Sequence, residues 1–264
     1  MRIHRVLAAF AVPAIVTAQT PAVPANDVAR LEQRRIEAVR SGRDLDRFYS
    51  PAYRGVTAMG RPESRQQLLH APDASYARVR DVAVELHDDA AIVSGIEGAS
   101  DAERDRVVRI WTREHGAWTI VAAHTTWIGN RVGVTPPAGP LPNTGETFTP
   151  RTAAEEALWK SQDALMRSFS EADPASYRTF STANSLRLTT GGDAIARDQW
   201  LDTIARRAKG PLAIVDEVRI ASYGDVGLVT LRGHEANPTR QSWIYLNEDG
   251  LWKLHLRYTT LVRE

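Results

Sequence analysis

The sequence predicts an α+β chain built from two copies of one unit. Three observations carry that reading. Short blocks recur in the same order at nearly the same spacing, each copy passes from helical to strand periodicity, and a proline-rich stretch separates the copies. The recurring blocks are "GRPESRQQLL" (60–69) with "GDAIARDQWL" (192–201), "DVAVELHDDAAIVSG" (81–95) with "EVRIASYGDVGLVTL" (217–231), and "WTREHGAWTIVAAHTTWI" (111–128) with "WIYLNEDGLWKLHLRYTTLV" (243–262). The last pair aligns with two extra residues at its turn. Between the copies, residues 129–152 hold Pro136, Pro137, Pro140, Pro142 and Pro150 among Gly and Thr and interrupt all periodicity, as a semi-rigid linker does. The organisation expected is a first domain over 27–130, a linker over 131–152 and a second domain over 153–264.

Each unit opens with a helix. From Asn26 to about Arg40, Val28, Leu31, Ile36 and Val39 fall at helical spacing, with Asn26 or Asp27 as cap. In the second unit Thr152 caps a helix and Glu155, three residues on, completes a capping box; Leu158, Leu165, Met166 and Phe169 form its apolar face. "DRFY" and "ASYRTF" predict a second helix, and "SRQQLL" and "ARDQWLDTIARRA" a third. Strands follow: "VAVEL", "AAIVSGI" and a tryptophan hairpin in one unit, "VRIAS", "GLVTLRG" and a matching hairpin in the other, with "HDDA" and "YGDV" as turns.

The first 18 residues stand apart. Arg2 and Arg5, an apolar run from Val6 to Val16 and the small-residue site Val16-Thr17-Ala18 have the form of a secretory signal peptide, which predicts a periplasmic or extracellular protein. The apolar run is too short to span a membrane. Without Arg2 and Arg5 the 33 Lys and Arg become 31 against 32 Asp and Glu, so neither nucleic acid nor a membrane surface is an expected partner. Cysteine is absent, which removes disulfides, thiolate nucleophiles and thiolate metal sites together. The seven histidines show no H-x-x-x-H or H-E-x-x-H spacing, and no Walker loop, G-x-G-x-x-G or G-x-S-x-G elbow occurs, so no metal or cofactor is expected.

A glycine before a Ser/Ala-Arg-x-x helix and a closing G-x-W-x-x-x-x-x-H/Y-T-T occur in both units, while the strand pattern x-x-D/G-D-x-A-x-V-x-G is complete only in the first and R-x-x-W only in the second. In these motifs each unit resembles the nuclear transport factor 2-like superfamily, in particular its SnoaL-like, ketosteroid-isomerase-like branch. The resemblance implies two cone-shaped domains, each a curved antiparallel sheet wrapped on N-terminal helices with a pocket at the open end. It also implies that sheets pair, as an intramolecular pseudo-dimer or a homodimer. It does not select a function, because one fold hosts many. The superfamily's isomerases use an Asp base with a Tyr and a protonated acid. Here the first helix offers only Glu32, Arg35 and Glu37, or Trp159 and Asp163, and Glu97 reads as a rim position.

Strand alternation nominates the pocket wall. Trp252, Leu254, Leu256, Tyr258 and Thr260 share the buried face of the last strand, and the matching face of the first unit carries Trp118, Ile120, Ala122, His124 and Thr126. His255 then falls on the solvent side. With His115-Gly116 as the tight turn, Trp111 opposes Ile120 and Arg109 opposes Ala122, so Arg109, Trp111 and His124 line one wall, with Gln241, Trp243 and Tyr258 as the second-unit set. Trp127 and Trp200 fall outside the matched hairpin positions, and Trp127 suits a sheet-to-sheet interface. Three functions remain open: binding of a small apolar, carbonyl- or carboxylate-bearing molecule; a cofactor-free isomerase or lyase using His124 and Arg109 as acid/base and anion holder; and an assembly module with filled pockets.

Overall fold

The computed structural model describes residues 25–70, 78–98, 104–129, 148–234 and 237–263. The expected signal peptide, residues 1–18, and residues 131–147 of the expected linker lie outside the described residues. In the first unit, α1 (Ala25–Ser41) is followed by β1 (Tyr49–Val56), β2 (Pro62–Ser64), α2 (Arg65–His70), β3 (Val79–His87), β4 (Ala90–Glu97), β5 (Asp105–Glu114) and β6 (Ala117–Trp127). The second unit repeats the plan with α3 (Ala153–Ser170), α4 (Pro174–Thr179), β7 (Ser181–Leu188), β8 (Ala194–Ala196), α5 (Arg197–Arg206), β9 (Val215–Tyr223), β10 (Val226–Gly233), β11 (Thr239–Glu248) and β12 (Leu251–Leu261). Thr152 caps α3, its hydroxyl accepting from the Glu155 amide at 3.1 Å, whereas the Glu155 carboxylate reaches the Arg151 amide rather than that of Thr152. "DRFY" forms no α-helix; Leu45–Phe48 is a single 3₁₀ turn.

The sheets run β2-β1-β6-β5-β4-β3 and β8-β7-β12-β11-β10-β9. They are mixed rather than antiparallel, because β1 and β7 pair parallel to β6 and β12. These strands are absent from the sequence expectation for a physical reason. Pro51 cannot donate to a ladder, and it sits where the β1–β6 register slips between Tyr49 and Arg54. "STANSLRL" has the polar composition of a loop and is held by its neighbours instead.

Both hairpins turn on two residues. Glu114 pairs with Ala117 and Glu248 with Leu251, so His115-Gly116 and Asp249-Gly250 form the turns, all four at positive φ. The hairpins are therefore equal in length, and the expected two-residue insertion is corrected. Trp111 corresponds to Tyr245, and Trp243 corresponds to Arg109.

A β-bulge decides the faces. Trp111 pairs with Ile120 as expected, but Ile110 pairs with Ala122, leaving Val121 extra; in the second unit Tyr245 pairs with Leu254 and Ile244 with Leu256, leaving His255 extra. An extra residue reverses which side each later side chain takes. Trp118 and Ile120, like Trp252 and Leu254, pack under the helices. Beyond the bulge, Ala122, Leu256 and Tyr258 belong to a separate core between the two sheets, with Ile92, Ile110 and Leu228.

That third core joins the units across a local twofold. His124 faces its equivalent Tyr258 with ring centroids 5.7 Å apart, and Thr126 Oγ1 lies 2.7 Å from its equivalent Thr260 Oγ1. At the edges, Arg106 donates to Gly192 O and Arg240 to Gly60 O, while the Gly129 amide donates to Gly191 O and the Arg263 amide to Met59 O. Gly60 and Gly192 adopt φ +68° and +79°, and a Cβ on either would come within 2.7 and 2.5 Å of the facing Leu261 or Trp127 carbonyl oxygen. Only glycine allows that approach. Arg263 lies 4.2 Å over the Trp127 ring, so this tryptophan does serve the contact between units. His255, expected in solvent, is buried and bridges the units through Glu85 at 2.8 Å. No helix among the described residues is long and apolar enough to cross a membrane.

Candidate functional site

His124 is not on a pocket wall. It lies between the sheets, 1% exposed, with Nδ1 2.7 Å from Ser242 Oγ and Nε2 2.9 Å from Thr260 Oγ1. Thr260 donates onward to the Thr125 carbonyl, so a neutral ring with its hydrogen on Nε2 satisfies the whole chain of bonds. Burial, aided by the charge of Arg240, lowers its pKa from 6.5 to about 3. The gap beside it amounts to about 10 Å³, room for no more than a water. Thr126 and Tyr258 share this interface, and the Tyr258 hydroxyl donates to Val107 O at 3.4 Å. The three residues expected in the pockets are corrected together, by the bulge.

Arg109 does point into the first cone, on the opposite side of the sheet from His124. It pairs with Ala123, not Ala122. Inside, Arg35 and Arg109 both bind the two carboxylates Glu32 and Glu97. Arg35 Nη2 lies 2.7 Å from Glu32 Oε1 and 3.1 Å from Glu97 Oε1; Arg109 Nη1 lies 3.0 Å from Glu32 Oε1, and its Nη2 binds Glu97. All four side chains are buried. Burial works to raise the pKa of Glu32, but Arg109 and Arg35 outweigh it and hold the carboxyl below its ordinary range. Glu97 is thus an interior partner rather than a rim acid. Trp111 is fully buried beside Phe48, and Trp118 is half-buried under the Arg113 guanidinium.

The second cone is organised differently. A cavity of about 520 Å³ opens between α3, α5 and the sheet. Leu165, Met166 and Phe169 come from α3, Trp200 from α5, and Leu231 and Trp243 from the strands. Residues 211–215 run along its mouth, where Leu212 and Ile214 are 38% and 58% exposed. Polar groups are few and placed. Gln241 Oε1 accepts from Trp243 Nε1 and from Arg257 Nη2, both at 2.9 Å, while its amide donates to Thr239. Arg257 lies 4.2 Å over the Trp243 ring. Arg187 lies 3.7 Å over Trp200, which stacks on Phe169, and Phe169 carries Arg207 at 3.5 Å. His234 at the rim meets Asp216 at 2.9 Å.

Strand register matches the cones residue by residue. Arg109 corresponds to Trp243, Glu97 to Gly233, Ala123 to Arg257 and Gly55 to Arg187. On the helices, equal spacing from the buried Val28 and Leu158 sets Glu32 against Gln162 and Arg35 against Leu165. Every member of the first cone's ion quartet is thus neutral in the second. There, arginines stand where the first cone has Gly55 and Ala123. Gln241 and Trp243 were expected at the site and are there; Trp200 was noted only as unmatched. Arg187 and Arg257 were missed, since alternation without the bulge put Arg257 in solvent. A wider cleft of about 740 Å³ lies outside the cone at Phe148, Arg151 and Arg219, and it is a surface groove without convergent side chains.

The solved structures similar to this chain match one unit at a time. An NTF2-like protein from Cytophaga hutchinsonii is 14% identical, covering 42% of this chain and 99% of its own, with a TM-score of 0.37. The solved structures similar to this chain include several NTF2-like proteins. A second, of unknown function, from Silicibacter pomeroyi is 12% identical over 42% of this chain and 98% of its own, TM-score 0.37. The S. rosetta CaMKII hub is 22% identical over 40% and 98%, TM-score 0.33. No family profile matches the sequence, and no curated protein is similar to it.

Proposed function

We propose that the protein is an exported small-molecule-binding protein whose second domain holds the ligand while the first serves as its scaffold. The observation that carries this reading is the cavity of about 520 Å³ in the second cone, apolar and aromatic with a few oriented polar groups, as ligand sites are. Its mouth is rimmed by Leu212 and Ile214, large apolar side chains left in water. The first cone spends the equivalent depth on its ion quartet. Export rests on the sequence of residues 1–18. The isomerase or lyase reading needs His124 and Arg109 to reach one substrate, and the sheet stands between them.

The neutral apolar dye N-phenyl-1-naphthylamine tests the reading. Its fluorescence is expected to rise on binding and saturate at one dye per chain. Ala213→Trp, a change at an exposed position on the mouth, should plug the cone and remove that signal without changing the melting temperature of the free protein. Dye binding that ignores Ala213→Trp would sink the assignment.

A further inference from the structure

The mouth of the second cone is bordered by a stretch of chain that the fold holds at few points. Residues 208–214 connect α5 to β9, and all seven are exposed. The Gly210 amide donates to Ser170 O at 2.9 Å, and Ile214 O accepts from the His234 amide at 3.0 Å. Between those two ties no hydrogen bond holds residues 211–213 among the described residues. Just before the stretch, the Arg207 guanidinium lies 3.5 Å over Phe169 and fixes its start to the cavity wall. A segment with exposed backbone and few bonds opens and closes at little cost, and active-site and binding-site lids are drawn from such segments.

Its side chains are ill suited to a permanent place in water. Leu212 and Ile214 are two of the three large apolar side chains exposed among the described residues, and both line the mouth of the cavity. The third, Leu186, lies on β7 and is not part of the cavity lining. Ligand sites bury roughly 70–90% of the surface of a drug-sized occupant. A cone open at this mouth leaves one side of its occupant in water. With the cavity empty, Leu212 and Ile214 have nothing to cover; an apolar occupant gives them a surface to bury against. We infer that residues 208–214 form a strap that closes over the occupied second cone, turning Leu212 and Ile214 onto the ligand. This rests on the reading of that cone as a binding site. Retention then depends on the ligand's own apolar surface, because that surface is what holds the strap down.

Limited trypsin cleavage of the unaltered full chain, with and without saturating N-phenyl-1-naphthylamine, tests the strap. Lys209 lies within it but does not line the cavity, so bound dye cannot shield that bond directly. Cleavage after Lys209 is expected to slow about tenfold with dye, while cleavage after Arg43, in an exposed turn of the first unit, stays within about twofold. Thiol labelling reads the direction of movement. The chain has no cysteine, so Ile214→Cys and Leu186→Cys each introduce a single thiol. Dye should slow the reaction of N-ethylmaleimide with the thiol at 214 about tenfold and leave that at 186 unchanged. If Ile214→Cys no longer binds dye, Leu212→Cys carries the same comparison. Dye that binds without slowing the Lys209 cut, or that slows both cuts equally, would overturn the strap and leave the binding site standing. A slowed cut with a thiol still freely reactive would overturn the inward turn. Failure of the dye to bind the unaltered protein would overturn both the strap and the binding site.

Discussion

Arg109→Leu is expected to lower the unfolding free energy by about 3–5 kcal/mol, the cost of removing one partner from a buried ion network. Glu97 would keep only Arg35, which Glu32 already shares, and its charge would stay in a place water does not reach. Urea unfolding at neutral pH measures this. A residue that held a substrate instead would cost binding and little stability, so a loss below about 1 kcal/mol would return Arg109 to the list of ligand-binding groups. Leucine replaces the volume but not the fork of donors, and the loss is electrostatic rather than a matter of packing.

The second large effect is acid sensitivity from His124. In the folded protein its pKa is about 3, against 6.5 when free of the fold. Above pH 6.5 neither state binds the proton, and stability is complete. Between 6.5 and about 3 the unfolded chain takes a proton that the folded chain refuses, so stability falls as pH falls. The slope is about 1.4 kcal/mol per pH unit, reaching on the order of 4–5 kcal/mol at the lower end. Carboxylates titrate in the same window, so the test is a difference. Between pH 6.5 and 4.5 the native protein should lose about 2–3 kcal/mol more than His124→Gln, which cannot titrate. Parallel stability curves for the two proteins would show that the ring is not held neutral between the sheets.

Much of the fold can be read from the sequence because its signals are local. The duplication, the capped helix after Thr152 and the hairpin turns at His115-Gly116 follow from spacing and turn chemistry. The pocket is less legible, and the reason is one residue per unit. Val121 and His255 carry no composition that marks a bulge, yet each reverses the strand beyond it. His124 and Tyr258 therefore move from the cone to the interface, and Arg257 moves from solvent into the cone. Glu32 and Arg35 show a trace of their role, as acid and base three apart on the buried face of α1. Their partners Glu97 and Arg109 come from distant strands and leave no such trace. β1 and β7 are invisible for another reason: their strand state depends on pairing with β6 and β12, not on their own side chains.

The central claim is that the two cones have divided their tasks, the second binding and the first supporting. A crystal of the full chain soaked with N-phenyl-1-naphthylamine tests it most directly. The account predicts one molecule, in the second cone, its rings against Trp200 or Trp243, with the Glu32–Arg35–Glu97–Arg109 quartet undisturbed. The dye in the first cone, with the second cone empty, would contradict it.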